Sequence, residues 1–558
     1  MPMRQLSGHD AGFLYTDTTQ ANANVSLLHI HDQRTAPGGV VRFKQILAHI
    51  EGRLSAAPLF RQRLQRVPLG LDHPYWVDDP NFDLEYHVRH IALPKPGDWR
   101  QFCIQVSRIH ARALDLDRPL WEAYVIEGLD SFLDLPPGSF ALLFKTHLAA
   151  VDLHGLGALS SLLYDTSAAP RAPPPPAPWF ADSAPGRLGL VRRGLVQSAT
   201  APLRLARPLL RVATSMAPAA VALASEMLLR PQNLPPTRFN AIVSPHRVFE
   251  TRRFTDAEFE AIRALVPGAT LDDAVAAVIG GALRRYLDAQ GELPPTHSLA
   301  AIVPEPAPTT PCNPGKVAKV AKVAKVAKAA KADASGPPPL RWRHVRLGTD
   351  LADARQRLTT LAAQAQDAPD EVARLLGSPA LAEAGEQASA ALLAWSRRLV
   401  GRASARLGSS TPPANCTLAH LPALSQPMYL CGARLSYFSA ILPITDGLGL
   451  AFAVTRYDGR LVISPTCCRE LMPDPEVFAQ CLRDSFQEYL ALTRRRPVRR
   501  LLAAKPKLVR PELSKPRLAK PAARAARAAA AQSPESNPKA ARPRASSAGR
   551  ARRASRPG

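Results

Sequence analysis

The chain has 558 residues, 46% of them hydrophobic, and a formal net charge of +25; it can build two or three domains with real cores, which excludes a wholly disordered or fibrous polypeptide. The lysine repeat 316–331 holds six lysines and no acid, and residues 501–558 hold fifteen Lys or Arg against two Glu, so these two segments carry 19 of the 25 charges. The charge therefore belongs to appendages and not to a basic groove in the fold.

The opening "MPMRQLSGHDAGFLYTDTTQ" has no apolar run after Arg4 and does not read as a secretory signal. "VSLLHIHD" at 25–32 reads as a strand, and "VVRFKQILAHIEGRL" at 40–54 has helical spacing with its apolar positions on one face. "WEAYVIEGL" and "SFALLFKTHLAAVD" read as buried strands, and the alternation predicts an α/β layer structure. From Asp165 a proline-rich spacer, "APRAPPPPAPWF", leads into "RLGLVRRGLVQSATAPLRLARPLLRVATSMAPAAVALASEMLLR", where arginines recur among Leu, Val and Ala. These basic helices either lie on an anionic membrane surface or pack an apolar stripe on the flanking domains; Pro202, Pro208 and Pro218 keep each one short.

A second globular half opens at "FNAIVSPHRVFETRRF" and carries a helix over 270–291, capped by Thr270, with Asp272 and Asp273 in its first turn and Arg284 and Arg285 toward its end. The lysine repeat interrupts this half. A three-residue period advances about 300° per step on a helix, so the lysines wind around the axis and leave no apolar face; a flexible or loosely helical insertion is expected. The stretch 435–455 is nearly long enough to span a bilayer, but Pro443, Asp446, Gly447 and Gly449 break it into two strands and a turn. The fold is expected to end near Thr493, and the Ala/Pro/Lys/Arg tail to be disordered, with salt-dependent polyanion contact through residues 501–558. The cysteines at 103, 312, 416, 431, 467, 468 and 481 form no C-x-x-C pair and are odd in number. No disulfide framework or metal site is expected, and a reduced, cytoplasmic setting fits.

Ordered blocks from "LSGHDAGFLYTDT" through "RPLWEAYVIEGL", "HLAAVD" and "FNAIVSPHR" to "YLCGARLSYFSAILPITDGLGLAFAVTRYDG" resemble the bacterial wax ester synthase/diacylglycerol acyltransferase family over about residues 4–493, insertions aside. The resemblance implies a two-domain α/β fold of the CoA-dependent acyltransferase, chloramphenicol acetyltransferase-like type. Its expected parts are an N-terminal domain 1–165, a Pro-rich and basic linker 166–239, a C-terminal domain 240–500 with an insertion at 312–338, and the tail 501–558. It also implies a long-chain acyl-CoA co-substrate with no bound cofactor, diacylglycerol or a long-chain alcohol as acceptor, and peripheral association with membrane or lipid inclusions. The chemistry expected is deprotonation of the acceptor hydroxyl by a neutral imidazole as its oxygen attacks the thioester.

The family signature is His-His-x-x-x-Asp-Gly, with the second histidine as base. This chain offers His147, Leu148, Ala149, Ala150, Val151, Asp152 and Leu153, so the first His and the Asp are present while leucines occupy the positions of the base and the glycine. Leucine accepts no proton. His147, Asp152 and His154 remain the catalytic candidates: His147 is expected to face away from the channel by strand alternation, and His154 lies where a helix should begin. Leu148, Trp121, Glu122, Asp272, Asp273 and His420 are the candidate channel residues. Asp272 and Asp273 stand at the family's Asn-Asp, and Ala419 to Ala423 at its Ser-Asn-Val-Pro-Gly. Three functional readings follow: an acyltransferase with a rearranged site, a silent paralogue that binds acyl-CoA or lipid, and a polyanion-binding protein on a passive scaffold.

Overall fold

The computed structural model describes residues 4–129, 135–169, 179–197, 199–200, 234–306, 340–364, 412 and 414–494. Contacts gather residues 1–496 into one compact unit. The lysine repeat, most of the basic stretch after residue 200 and the tail 501–558 lie outside the described residues.

The first half runs β1 (Arg4–Gln5), α1 (Gly8–Thr16), β2 (Asn24–Asp32), α2 (Phe43–Glu51), β3 (Gln62–Gln65), β4 (Tyr75–Asp78), α3 (Leu84–His87), β5 (Val88–Ala92), α4 (Trp99–Ala111), β6 (Trp121–Glu127), β7 (Phe140–His147) and α5 (Gly155–Leu163). A further helix, α6, covers 187–197. The second half runs β8 (Arg247–Phe249), β9 (Arg252–Thr255), α7 (Asp256–Arg263), α8 (Leu271–Ala289), β10 (Ala300–Pro306), β11 (Leu340–Arg346), α9 (Ala354–Gln364), β12 (Cys416–His420), β13 (Tyr429–Leu430), β14 (Ala433–Ile441), β15 (Leu450–Tyr457), β16 (Arg460–Cys468) and α10 (Pro475–Arg494).

Of three sheets among the described residues, the first has the order β13-β14-β2-β7-β6-β5, the second β11-β10-β12-β15-β16-β8 with β9 also pairing β16, and a small third β1-β4-β3. Period-two alternation decides what each face of the first sheet meets. Leu142, Phe144 and Leu148 point into the main core with Ile46 and Ile50 of α2 and Leu156 and Leu159 of α5. Ala141 and Leu143 face Phe102, Val106 and Ile109 of α4. Second-sheet strands share the main core with α7, α8, α9 and α10.

The apolar stretch 435–455 forms two strands joined at Asp446–Gly447, but they enter different sheets. β14 pairs antiparallel with β2, Phe438 opposite His29, whereas β15 pairs with β12 and β16. Thr455 of β15 donates to the Phe438 carbonyl at 2.8 Å, and Ser439 meets Ser464 at 2.7 Å, so β14 ties the sheets together. The turn itself is locked onto the "FNAIV" segment: Gly447 N–H donates to Ala241 O, Gly449 N–H to Phe239 O, and Asp446 accepts from Val243 N–H. Gly447 takes φ +81, which favours glycine.

β10 and β11 form an antiparallel pair whose register runs to Pro306 opposite Leu340. The insertion therefore joins two neighbouring strand ends, a place where added chain length costs little. Helix α6 buries Leu190 against Val67 and Tyr75, and Gly194 lies tight against Leu71 and Val67. Its Leu188, Leu195 and Val196 face outward. The described part of the basic stretch thus packs one side on the first half and leaves an apolar side open. Among the described residues no helix is long and apolar enough to cross a membrane.

Candidate functional site

β7, between β2 and β6, is buried along its whole length and delivers His147 at its C-terminal end. Both nitrogens of that ring are engaged. Nδ1 accepts from the Ala149 N–H at 3.0 Å, so Nε2 carries the proton and donates to Asp17 Oδ2 at 3.0 Å. Asp17 Oδ1 accepts from Ala23 N–H at 2.8 Å, and the Ala23 carbonyl accepts from Leu148 N–H at 2.9 Å. His147 and Asp17 thus splice the motif loop to the segment before β2.

Leu148 is 5% exposed and packs into the main core. Asp152 accepts the Gly155 N–H at 2.7 Å and so closes the loop onto the start of α5. Gly155 permits this approach, since a Cβ there would sit 3.0 Å from both Asp152 Oδ1 and Val151 Cγ1. His154 occupies the cap position of α5 with no side-chain capping bond, and is half-buried.

Trp121, expected on a channel wall, is fully buried. It stacks on His87 at 4.7 Å and on Phe144 at 5.6 Å, while its indole N–H donates to Phe60 O at 3.0 Å. The packing reading is the one its geometry supports. Glu122 points to the other face, where it accepts from Tyr124 OH at 2.7 Å and lies 3.5 Å from Arg89 and 3.9 Å from Lys145. Lys145, completely buried, donates to the carbonyls of Ile109 and Arg112 at the end of α4, where the helix dipole favours a cation. Burial pushes Lys145 down to about 8, with Glu122 opposing the shift.

In the second half the two adjacent acids of α8 separate in role. Asp273 is buried and completes a capping box, accepting from Thr270 N–H at 2.8 Å and Thr270 OH at 2.7 Å while Thr270 Oγ1 accepts from Asp273 N–H. Asp272 instead reaches His420 at the end of β12, with Oδ1 3.2 Å from Nδ1; the two side chains are 57% and 24% exposed. Two residues on, Pro422 packs against α5: a Cβ on Gly157 would lie 3.0 Å from Pro422 Cβ. The motif loop, the start of α5 and the β12 end that carries His420 therefore meet where the two halves join. Among the described residues no three His, Cys, Asp or Glu side chains gather as metal ligands.

Several positioning residues carried no assignment in the sequence. Asp17 lay inside the quoted opening block, and Asn240 within "FNAIV"; the latter donates to Ala414 O and Gly447 O. Arg247 donates to the Gln20 carbonyl and so links the second half to the first-half loop that also carries Asp17. Asn240 and Arg247 are buried polar residues, whereas Asp17 is partly exposed in a polar stretch and gave no signal of its own.

Two mixed sheets are joined by an exchanged strand, β14, and the histidine-bearing loop of one half lies against a strand end of the other. The wax ester synthase/diacylglycerol acyltransferase catalytic domain matches residues 6–275, and the C-terminal domain of the same family matches residues 341–489. The chain belongs to the wax ester synthase/diacylglycerol acyltransferase family. A Mycobacterium tuberculosis protein named as a diacylglycerol O-acyltransferase is 30% identical over 499 residues, 88% of this chain and 90% of that one. A second so named is 29% identical over 488 residues, 87% and 98% of the two chains. The solved wax ester synthase/diacylglycerol acyltransferase of Marinobacter aquaeolei VT8 shares the fold, with a TM-score of 0.57, 22% identity, and coverage of 88% of this chain and 99% of that one.

Proposed function

We propose that this protein is a long-chain acyl-CoA-dependent O-acyltransferase that esterifies diacylglycerol or a long-chain alcohol, giving triacylglycerol or wax ester. The observation that carries the reading is the family match across both halves, together with an intact seam at which the Asp152-closed loop, α5 and the end of β12 converge. The acceptor hydroxyl attacks the thioester carbonyl, the CoA thiolate leaves, and one proton moves from hydroxyl to thiol through a base. His147 serves by holding the loop, because both of its nitrogens are already engaged. Acyl-CoA is consumed as co-substrate and no bound cofactor is required.

The acceptors and their products are water-insoluble, and the open side of α6 suits work at a lipid surface. Leu188 and Leu195 on this helix, and Leu69 in the loop that precedes β4, stand exposed, and Arg187, Arg192 and Arg193 are exposed beside the helix's apolar side. The cationic tail 501–558 adds a second, salt-sensitive attraction to the same anionic surface. The test is release of CoA thiol by the purified full-length chain from a long-chain acyl-CoA, with diacylglycerol or long-chain alcohol supplied in vesicles. Release that depends on the acceptor supports the reading. Absence of release with either acceptor, with activity appearing in Leu148→His, would favour the silent paralogue.

A further inference from the structure

We infer that His154 is the general base of this acyl transfer, an assignment that rests on the acyltransferase reading above. Transfer from thioester to hydroxyl needs a group that takes the hydroxyl proton, and that group must come within about 3 Å of the oxygen. Most polar groups at the seam are already committed. Both nitrogens of His147 are engaged, by Ala149 N–H and by Asp17. Asp152 holds the Gly155 N–H, and His420 on the facing strand end lies at ion-pair distance from Asp272 and has a further partner. Among the described residues, neither ring nitrogen of His154 meets a hydrogen-bonding or ion-pairing partner.

The loop fixes where this ring starts. Asp152 and the Gly155 N–H close it at 2.7 Å with His154 inside, Val151 and Leu153 pack against the main core, and Leu156 is buried there. His154 itself is only half-buried, so the core anchors its neighbours and leaves this imidazole open. Its backbone is already helical, with φ −78 and ψ −35, and it stands three residues before Gly157. Positions three apart on a helix are neighbours on its surface. A Cβ on Gly157 would lie 3.0 Å from Pro422 Cβ, so the second half approaches α5 next to His154. An imidazole with both nitrogens clear thus stands beside the line where the two halves touch.

A neutral imidazole has one ring nitrogen with a free lone pair and one that carries a proton. At His154 the former takes the acceptor's hydroxyl proton as the C–O bond forms at the thioester carbonyl. The tetrahedral oxyanion then collapses with cleavage of the C–S bond. The departing thiolate recovers the proton from the ring, leaving ester, CoA thiol and a neutral His154.

The experiment measures CoA release from a long-chain acyl-CoA, with diacylglycerol or a long-chain alcohol supplied in vesicles. It compares the full-length wild type, His154→Ala, His154→Gln and a surface control, His297→Ala, each with its urea midpoint and with or without added imidazole. Both His154 variants are expected to lose about 10²- to 10⁴-fold in kcat with the KM for acyl-CoA little changed and the midpoint unmoved. Free imidazole should restore part of the turnover of His154→Ala, and His297→Ala should match wild type. If wild type turns over and both His154 variants stay within about threefold of it, far short of the loss of a base, His154 is not the base while the acyltransferase reading stands. A loss that tracks a lowered midpoint and that imidazole does not restore would give His154 a structural role and overturn the assignment too. Should wild type itself release no CoA with either acceptor, both fall.

Discussion

His147 Nε2 donates to Asp17 Oδ2 at 3.0 Å across 130 residues of chain, and through that bond the loop after β7 is fastened to the segment before β2. Removing the acceptor leaves a buried N–H unpaired, which costs about 1–3 kcal/mol. Asp17→Ala should lower the unfolding free energy by that amount, measured by urea unfolding. Asp17→Asn keeps one acceptor oxygen for two donors, Ala23 N–H and His147 Nε2–H, and should recover only part of the loss; equal losses in the two would show that these bonds are not what matters.

Leu148→His introduces an imidazole where the wild type has an apolar side chain in the core. Burying it without a partner costs about 1–3 kcal/mol. The variant is expected to be less stable and no faster than wild type in CoA release. A gain in turnover would mean that the old position still faces the reacting atoms.

Trp121→Ala is expected to cost about 3–5 kcal/mol, because it empties the space between His87, Phe60 and Phe144. Urea unfolding measures it. Trp121→Phe should recover much of the loss while leaving the Phe60 carbonyl unpaired.

Burial pushes His29 down to about 3 and holds His31 and His110 well below 6.5. Unfolded, these rings take up protons near 6.5; folded, they do not until far lower pH. Between those values the unfolded state binds more protons, so stability falls as pH drops, by up to about 1.4 kcal/mol per pH unit for each ring. Urea midpoints between pH 7.5 and 5 should therefore decline. His29→Phe, stacked on Phe438 as the native ring is, should make the decline shallower.

Deleting residues 312–338 behind a short turn should leave the unfolding free energy within about 1 kcal/mol, because β10 and β11 are already paired up to Pro306 and Leu340. A larger loss would mean that the insertion packs on the body.

Much of the fold was legible locally. The short, largely apolar runs of β2, β6 and β7 and the Thr270 cap of α8 are set by neighbouring residues, the cap by one hydroxyl three residues before an acid. The site was legible only in part. That Leu148 could not be a base followed from its chemistry, and the role of Asp152 in shaping the loop is a contact over three residues. Trp121 could not be assigned between core and wall, because an aromatic residue on a short apolar strand suits both.

By itself the sequence determined the order of the elements, the family and the absence of an imidazole at position 148. Only the tertiary structure decided that β14 leaves its own half to pair with β2, that Asp17 holds His147, and that Asp272 faces His420 while Asp273 caps α8. The reason is that periodicity and caps are written in neighbouring residues. Which distant side chains meet depends instead on strand order and register, and a one-residue slip turns every side chain to the opposite face.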